Sequence, residues 1–312
     1  MSLERALQLA GASPGVAYPN PTVGAAVVRD GQIVGEGVTE PHGGRHGEIV
    51  ALDAAAGRAR GATLYVTMEP CAHHGRTPPC VDAVVAAGVS TVVAGCLDPN
   101  PAACGGLELL RAAGIDVELD DRFDARAQNE AWRTWVARCR PFVLYKVAAT
   151  LDGRVTVPGA RWVTGAESRR LVHELRASVD AVGVGMGTVK ADAPRLDARG
   201  VPVARQPRRL AFGQGPLPDG SALELRSGAL EDELTALAAE GVQSLLLEGG
   251  PTLAAAFLEA GLVDKLLLFV APTLAGAGPH LLGELTAPLS LTRLSALQVG
   301  EDVLLEGYLN EP

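Results

Sequence analysis

The chain has 312 residues, enough for two domains, and sets 27 Lys and Arg against 36 Asp and Glu for a formal charge of −9. That balance excludes a general nucleic-acid surface, which needs clustered cations, but leaves room for a small phosphorylated ligand held by a local cation. No apolar run reaches the roughly 18–20 residues needed to span a bilayer. Five cysteines without a signal-peptide pattern imply a cytoplasmic protein whose thiols bind metal or are buried, not disulfide-bonded.

In chain order, "MSLERALQLAG" reads as an amphipathic helix, and "TVGAAVVRDGQIVGEGV" as a hairpin turning at Asp30-Gly31, a dipeptide suited to positive φ. "HGEIVALDAAAGR" has the spacing of a short helix and "ATLYVTMEP" that of a buried strand. "PPCVDAVVAAGV" places prolines where a helix begins and Gly88 where it ends. "STVVAGC" is another strand, and "GGLELLRAAGIDVEL" a helix running into a strand. This alternation predicts an α/β layer, residues 1–120. A charged helical stretch, 121–140, reads as a linker to a second α/β domain, 141–312, that opens on "PFVLYKVAATLDG". Within it "LLLEGGPTLAAAFLEAG" is a strand, a Gly-Gly turn and a helix, whose free backbone N–H groups could hold a pyrophosphate or simply make an ordinary turn. "VGVGMGT" lacks the G-x-G-x-x-G spacing of a dinucleotide fingerprint.

The chemistry concentrates in "HGE" (46–48) and "EPCAHHGRTPPC" (69–80). Zinc favours thiolate and imidazole ligands, and a catalytic zinc leaves its fourth position to water. His46, Cys71 and Cys80 would supply three ligands, with Glu48 beside the bound water as an acid and not a ligand. A structural clip needs a fourth ligand, which would have to be His73 or His74; a surface His-Glu with two buried cysteines is the other bland alternative. Cys96, Cys104 and Cys139 lack ligand spacing and read as small apolar fillers.

Taken together, "PNPTVGAAVV", "HGEIVAL", "EPCAHHGRTPPC" and "DPNP" make the first half resemble the cytidine-deaminase-like domain of the bifunctional riboflavin-biosynthesis deaminase/reductases. "KVAATLDGR", "RWVTG", "TVKADAPRL" and "LLLEGGPTLAAAFLEAGLVDKLLLFVAP" extend the resemblance through the second half. It implies a three-layer zinc deaminase domain followed by a dihydrofolate-reductase-like α/β domain that uses NADPH. It implies one Zn2+ on His46, Cys71 and Cys80, with Glu48 as proton shuttle. Asn20 and His73 would meet the pyrimidine, and Arg76 the substrate phosphate. NADPH contacts would come from Ala149, Trp162, Thr188, Asp192 and the run Gly250, Pro251, Thr252, Leu253, Ala254, Ala255, Ala256. Reductase substrate contacts would come from Lys146, Arg176, Leu196, Arg199 and Glu248, with Arg176 and Arg199 as phosphate holders. Lys146 and Glu248 are expected at strand ends, and Arg208 and Arg209 near the 2′-phosphate of NADPH.

The sequence departs from the family pattern where "HAE" is "HGE" and where Thr39 replaces a His, with His42 as a substitute. In the second half Ala193 replaces an Asp, Gly213-Gln214 replaces Asp-Ser, and no Gly-Glu-Ser precedes Trp162. The partner implied is a small phosphorylated pyrimidine, with neither nucleic acid nor membrane, handled by a dimer or tetramer. Two other functions share the zinc motif: a nucleoside or tRNA deaminase carrying a silent or partner second domain, and a non-catalytic zinc-stabilised binding module.

Overall fold

A computed structural model describes residues 2–75 and 78–312. The chain divides into two compact units, Met1–Ala137 with Pro312, and Arg138–Glu311. The first unit is built from α1 (Ser2–Gly11), β1 (Gly24–Arg29), β2 (Gln32–Val38), α2 (Gly47–Ala55), β3 (Thr63–Val66), α3 (Cys80–Ala87), β4 (Thr91–Ala94), α4 (Gly106–Ala112), β5 (Asp116–Leu119), α5 (Phe123–Ala127) and α6 (Glu130–Arg138). Its sheet runs β2-β1-β3-β4-β5, antiparallel around β1 and parallel from β3 to β5.

The β1–β2 turn falls at Asp30 and Gly31, both at positive φ, as the Asp-Gly dipeptide predicts. Helices cover both faces of this sheet. A Cβ on Gly24 would lie 2.0 Å from the Ala6 carbonyl of α1, and one on Gly37 would lie 2.3 Å from the Gly47 carbonyl of α2. Gly37 pairs with Ala25, the residue next to Gly24, so the two glycines face opposite sides of the pleat. Three layers result, with bare backbone on each face letting a helix approach.

The segment 121–140 is helical as expected, but it is not a linker. Ala125 in α5 and Trp132 in α6 are buried in the same apolar cluster as Leu64, Val92 and Leu110. A chain cut at residue 120 would therefore expose core surface; charge alone hid these two apolar anchors.

The second unit contains β6 (Phe142–Thr150), α7 (Ala166–Ser178), β7 (Ala181–Gly185), α8 (Met186–Asp192), β8 (Arg208–Phe212), β9 (Glu224–Arg226), α9 (Leu230–Ala239), β10 (Ser244–Leu247), α10 (Pro251–Glu259), β11 (Lys265–Ala271), β12 (Thr292–Val299) and β13 (Asp302–Tyr308). Its eight strands run β12-β13-β11-β6-β10-β7-β8-β9. The strands β11, β6, β10, β7, β8 and β9 are mutually parallel, and β13 returns antiparallel. Val143, Tyr145 and Val147 of β6 pack with Leu234, Leu237 and Phe257 of α9 and α10. On the other face Leu144 joins Val172 of α7 and Val189 of α8. The carboxyl ends of β6, β10, β7 and β8 therefore share one edge, where ligands of open α/β sheets bind.

Candidate active sites

In the first unit two helix starts meet. His46 is the N-cap of α2, and Cys80 is the first residue of α3. Cys71 arrives from the loop after β3, and its carbonyl accepts from the backbone N–H of Val81. His46 Nδ1 lies 3.2 Å from Cys80 Sγ and 3.6 Å from Cys71 Sγ. The backbone N–H of Cys80 donates to Cys71 Sγ at 3.4 Å, and all three donor atoms lie within 4.8 Å of one another. Tetrahedral zinc with ordinary bond lengths separates such ligands by about 3.3–3.8 Å, so the donors are spaced for it. A hydrogen bond with Cys80, supported by His46, lowers the Cys71 thiol, while Cys80 is raised.

Glu48 stands one residue inside α2. It is buried, and its Oε2 has no hydrogen-bond partner. Burial pushes its carboxyl up to about 7, against the lowering effect of His46. An orphaned carboxylate oxygen beside three soft donors is what a metal site with a bound water requires; a buried acid with no such purpose would find a partner.

The cavity over this cluster has a volume of about 410 Å³, and His46, Glu48 and Cys71 line it with Asn20 and His73. His73 Nδ1 is a second buried atom without a partner. His42 lines the cavity too, as does Thr39, whose hydroxyl accepts from Val23 N at 2.9 Å and donates to Val23 O at 3.2 Å. Thr39 thus fixes the cavity-lining Val23 peptide. Arg76, expected at the substrate phosphate, lies outside the described residues.

Several residues of this site carried no expected role. Glu69, buried in "EPC", accepts backbone N–H groups of Asp98, Gly105 and Leu107 at 3.0–3.1 Å, tying the "DPNP" loop and the start of α4 to the cavity wall. Asn129 accepts from Thr22 N and donates to Thr22 O, both at 2.9 Å, holding the loop that carries Asn20. Trp132, Trp135 and Asp98 also line the cavity. The Glu of "EPC" and the Asp of "DPNP" stood inside quoted motifs; Asn129 and the tryptophans carried no local signal. Cys96 is buried as expected. Cys104 and Cys139 are exposed and fill no core; Cys104 lies in the loop before α4 and Cys139 in the bend just after α6.

The His-Gly-Glu departure has a local cause. A Cβ at Gly47 would come 2.3 Å from the Val23 carbonyl, so α2 lies too close to that backbone for an Ala here.

In the second unit β10 runs into Gly249-Gly250 and then α10, as expected. Gly250 is the N-cap, no side chain caps the helix, and Pro251 occupies its first turn. A Cβ on Gly250 would lie 3.6 Å from Thr188 Oγ1, so the starts of α8 and α10 adjoin at the carboxyl edge. Uncapped N–H groups beside bare glycines suit a pyrophosphate. Thr252 and Ala256 are exposed, while Leu253 and Ala255 are half-buried. Ala149 and Ala254 are buried, and the Ala254 N–H is bonded to the Gly250 carbonyl within the helix, so Ala254 offers a ligand no free group. Asp192 is the exposed last residue of α8.

Lys146 lies mid-strand in β6, not at an end. Its Nζ is 4.0 Å from Glu248 Oε2, and Glu248 takes a two-pronged bond from Arg176, Nε at 2.6 Å and Nη2 at 2.9 Å. Burial alone would raise Glu248, but Arg176 and Lys146 outweigh it and hold the carboxyl low; burial lowers Lys146 in turn. Arg176 also donates to the Asp197 carbonyl at 3.2 Å, and Arg199 pairs with the Asp197 carboxylate at 2.6 Å. Leu196 between them is buried at φ 54°. Both expected phosphate holders are thus already matched to acids. Arg208 and Arg209 are misplaced as 2′-phosphate contacts: they open β8 at the amino edge, opposite Gly250, and Arg208 is paired with Glu224 and Glu240. Their nearness in sequence to Gly213 hid that a strand separates them from it.

Family models match both units, "Cytidine and deoxycytidylate deaminase zinc-binding region" over residues 2–96 and "RibD C-terminal domain" over residues 141–305. The Riboflavin biosynthesis protein RibD of Aquifex aeolicus (strain VF5) is 37% identical, with 97% of this chain and 96% of that protein aligned. The Acinetobacter baumannii RibD structure, form 1, superposes with a TM-score of 0.84 at 34% identity, covering 98% of this chain and 97% of that one. The Thermotoga maritima diaminohydroxyphosphoribosylaminopyrimidine deaminase/5-amino-6-(5-phosphoribosylamino)uracil reductase superposes at 0.82 with 32% identity, covering 98% and 97%. With both halves matched in order and nearly end to end, the chain belongs to the RibD family, the zinc- and NADPH-dependent deaminase/reductases of riboflavin biosynthesis.

Proposed function

We propose that this chain deaminates 2,5-diamino-6-(5-phosphoribosylamino)pyrimidin-4-one in its first unit and reduces the ribosyl group to ribityl in its second, with the residue roles that follow. The observation that carries the first step is the buried, partnerless Glu48 Oε2 beside His46, Cys71 and Cys80. Zinc, when bound by these three, supplies a Lewis acid that lowers the pKa of a water toward ~7. Glu48 Oε2 would take one proton from the attacking water and pass it to the ring nitrogen, then carry the second, from the newly added hydroxyl, to the amine, which leaves as ammonia. Asn20 and His73 orient the pyrimidine, and Arg76 takes its phosphate. Trp132 and Trp135 keep bulk water from the cavity.

For the second step NADPH supplies the hydride. The start of α10, from Gly250 to Ala256, with Thr188, Asp192, Trp162 and the backbone of Ala149, forms its cradle. Lys146, Glu248 and Arg176 orient the sugar as one charged network, with Leu196 and Arg199 beside it. The same reading puts the enzyme in the cytoplasm, where its thiolate ligands stay reduced, as a homo-oligomer; light scattering tests the latter.

Incubation with the diaminopyrimidine, followed by mass spectrometry, tests the whole reading. Without NADPH one amine should be replaced by oxygen; with it two hydrogens should be added to that product. Faster deamination of free nucleosides, with the diaminopyrimidine untouched, would overturn the substrate assignment.

A further inference from the structure

Of the arginines in the loop 151–165 and α7, two are matched to no acid among the described residues. Arg161 and Arg169 both lie against the indole of Trp162, at 5.0 and 5.2 Å from its ring centre, and neither is paired with a carboxylate among the described residues. Arg169 is fixed by donating from Nη1 to the Thr164 carbonyl. The indole itself is 52% exposed, although a tryptophan with so little cover ordinarily turns inward. Two guanidinium groups held against one ring repel each other, an arrangement favoured when an anion sits between or beside them.

Their place in the fold bears on what that anion is. The loop 151–165 leaves the carboxyl end of β6, and α7 starts there and returns to the amino end of β7. Asp302, which opens β13 at the same edge, anchors the start of α7 by accepting from Gly165 N at 2.8 Å and Ser168 Oγ at 2.6 Å. A carboxylate thus already lies against the helix start, and the open positive charge belongs to the side chains. Arg169 and Arg176 are seven residues apart, nearly two full turns, so they share one face of α7 with their Cα atoms about 10 Å apart. Arg176 at one end of this row is matched to Glu248, and Arg199 beside it to Asp197. Arg169 and Arg161 at the other end remain for a ligand.

We propose that Arg161, Trp162 and Arg169 form a phosphate-monoester subsite of the reductase unit. This rests on the reductase reading above and deepens it. Two phosphate monoesters enter such a site in that reading, the 2′-phosphate of the cofactor and the 5-phosphate of the substrate. Either is doubly charged near neutral pH and matches two guanidinium forks, with the indole as a flat wall alongside.

The test compares the wild-type full chain with Arg161→Gln/Arg169→Gln and Arg161→Lys/Arg169→Lys in steady-state reduction of the deaminated substrate. The Gln pair should raise KM by roughly tenfold or more for one phosphate-bearing ligand with a much smaller change in kcat, and the Lys pair should restore part of it. A rise for NADPH but not NADH assigns the cofactor's phosphate. A rise for the substrate but not its phosphatase-treated form assigns the substrate's. Unchanged KM values, or equal losses with and without the phosphate group, overturn the subsite. Should wild type fail to reduce at all, the reductase reading fails separately. Calorimetric binding of adenosine 2′,5′-bisphosphate and of ribose 5-phosphate to the same three proteins then still decides: weaker binding of either by the Gln pair supports the subsite, and identical binding or none sinks it.

Discussion

In the first unit Glu48 is buried with one carboxylate oxygen that no other group satisfies, whereas in the second unit the nearly as buried Glu248 is gripped through both oxygens by Arg176 and approached by Lys146. The first carboxylate is surrounded by thiols and an imidazole, so its site is incomplete without a cation. The second is surrounded by cations, so its site is complete in charge, and the spare positive groups lie at Arg161 in the loop before α7 and at Arg169 on α7. An unsatisfied acid marks a place where protons and metal do the chemistry. A satisfied acid with unsatisfied cations nearby marks a place where an anionic ligand is positioned.

The sharpest way to break this contrast is Glu48→Gln. Deamination should fall by about 10²–10⁴-fold, the usual contribution of a general acid–base group, with zinc content still near one per chain. Elemental analysis of the same preparation as the kinetics separates the two. If the variant turned over at near wild-type rate, Glu48 would not be the proton carrier.

Cys80→Ser probes the metal side. A hydroxyl at the start of α3 is a poor zinc ligand beside two softer donors, so most bound zinc should be lost with deamination, while reduction by the second unit persists. Retention of full zinc after dialysis would remove Cys80 from the ligand set.

In the second unit Arg176→Ala should cost about 3–5 kcal/mol, because it leaves a buried carboxylate with only a distant lysine. Denaturant unfolding of the full chain, followed by a probe in the second unit, measures it. The pH dependence carries the same sign. Glu248 is held below its ordinary value, so the pair's contribution is present above the unfolded carboxylate range and is lost as pH falls through the folded value. Glu248→Gln should flatten that part of the acid limb; an unaltered limb would mean that the Glu248 carboxyl titrates alike in the folded and unfolded states.

The smallest effect concerns Gly47. An Ala there would strike the Val23 carbonyl, so Gly47→Ala should destabilise by about 1–3 kcal/mol and slow deamination by shifting the helix that carries His46 and Glu48. A neutral result would show that α2 can move without cost.

The cluster of His46, Cys71 and Cys80 was legible because each lies beside a local signal: His46 and Cys80 at helix starts, Cys71 after a buried strand, and the order of His, Glu, Cys and Cys. The Asp30-Gly31 turn and the Gly249-Gly250 start of α10 were legible for the same reason. What the sequence hid was partnership across distance. Arg176 and Glu248 are 72 residues apart, and Ser168 and Asp302 are 134 apart. No periodicity joins such pairs, so two matched arginines looked like phosphate holders, and Arg161 and Arg169 carried no signal. The loss of the supposed linker has the same origin, since Asn129 bonds to Thr22 across 107 residues.

That last bond also sets an order of events in time. During synthesis at roughly 5–20 residues per second, Asn129 emerges about 5–20 s after the Pro-Asn-Pro loop that it clasps. His46, Cys71 and Cys80 are all made before Asn129, so the three donors of the cluster precede the clasp that fixes the loop bearing Asn20.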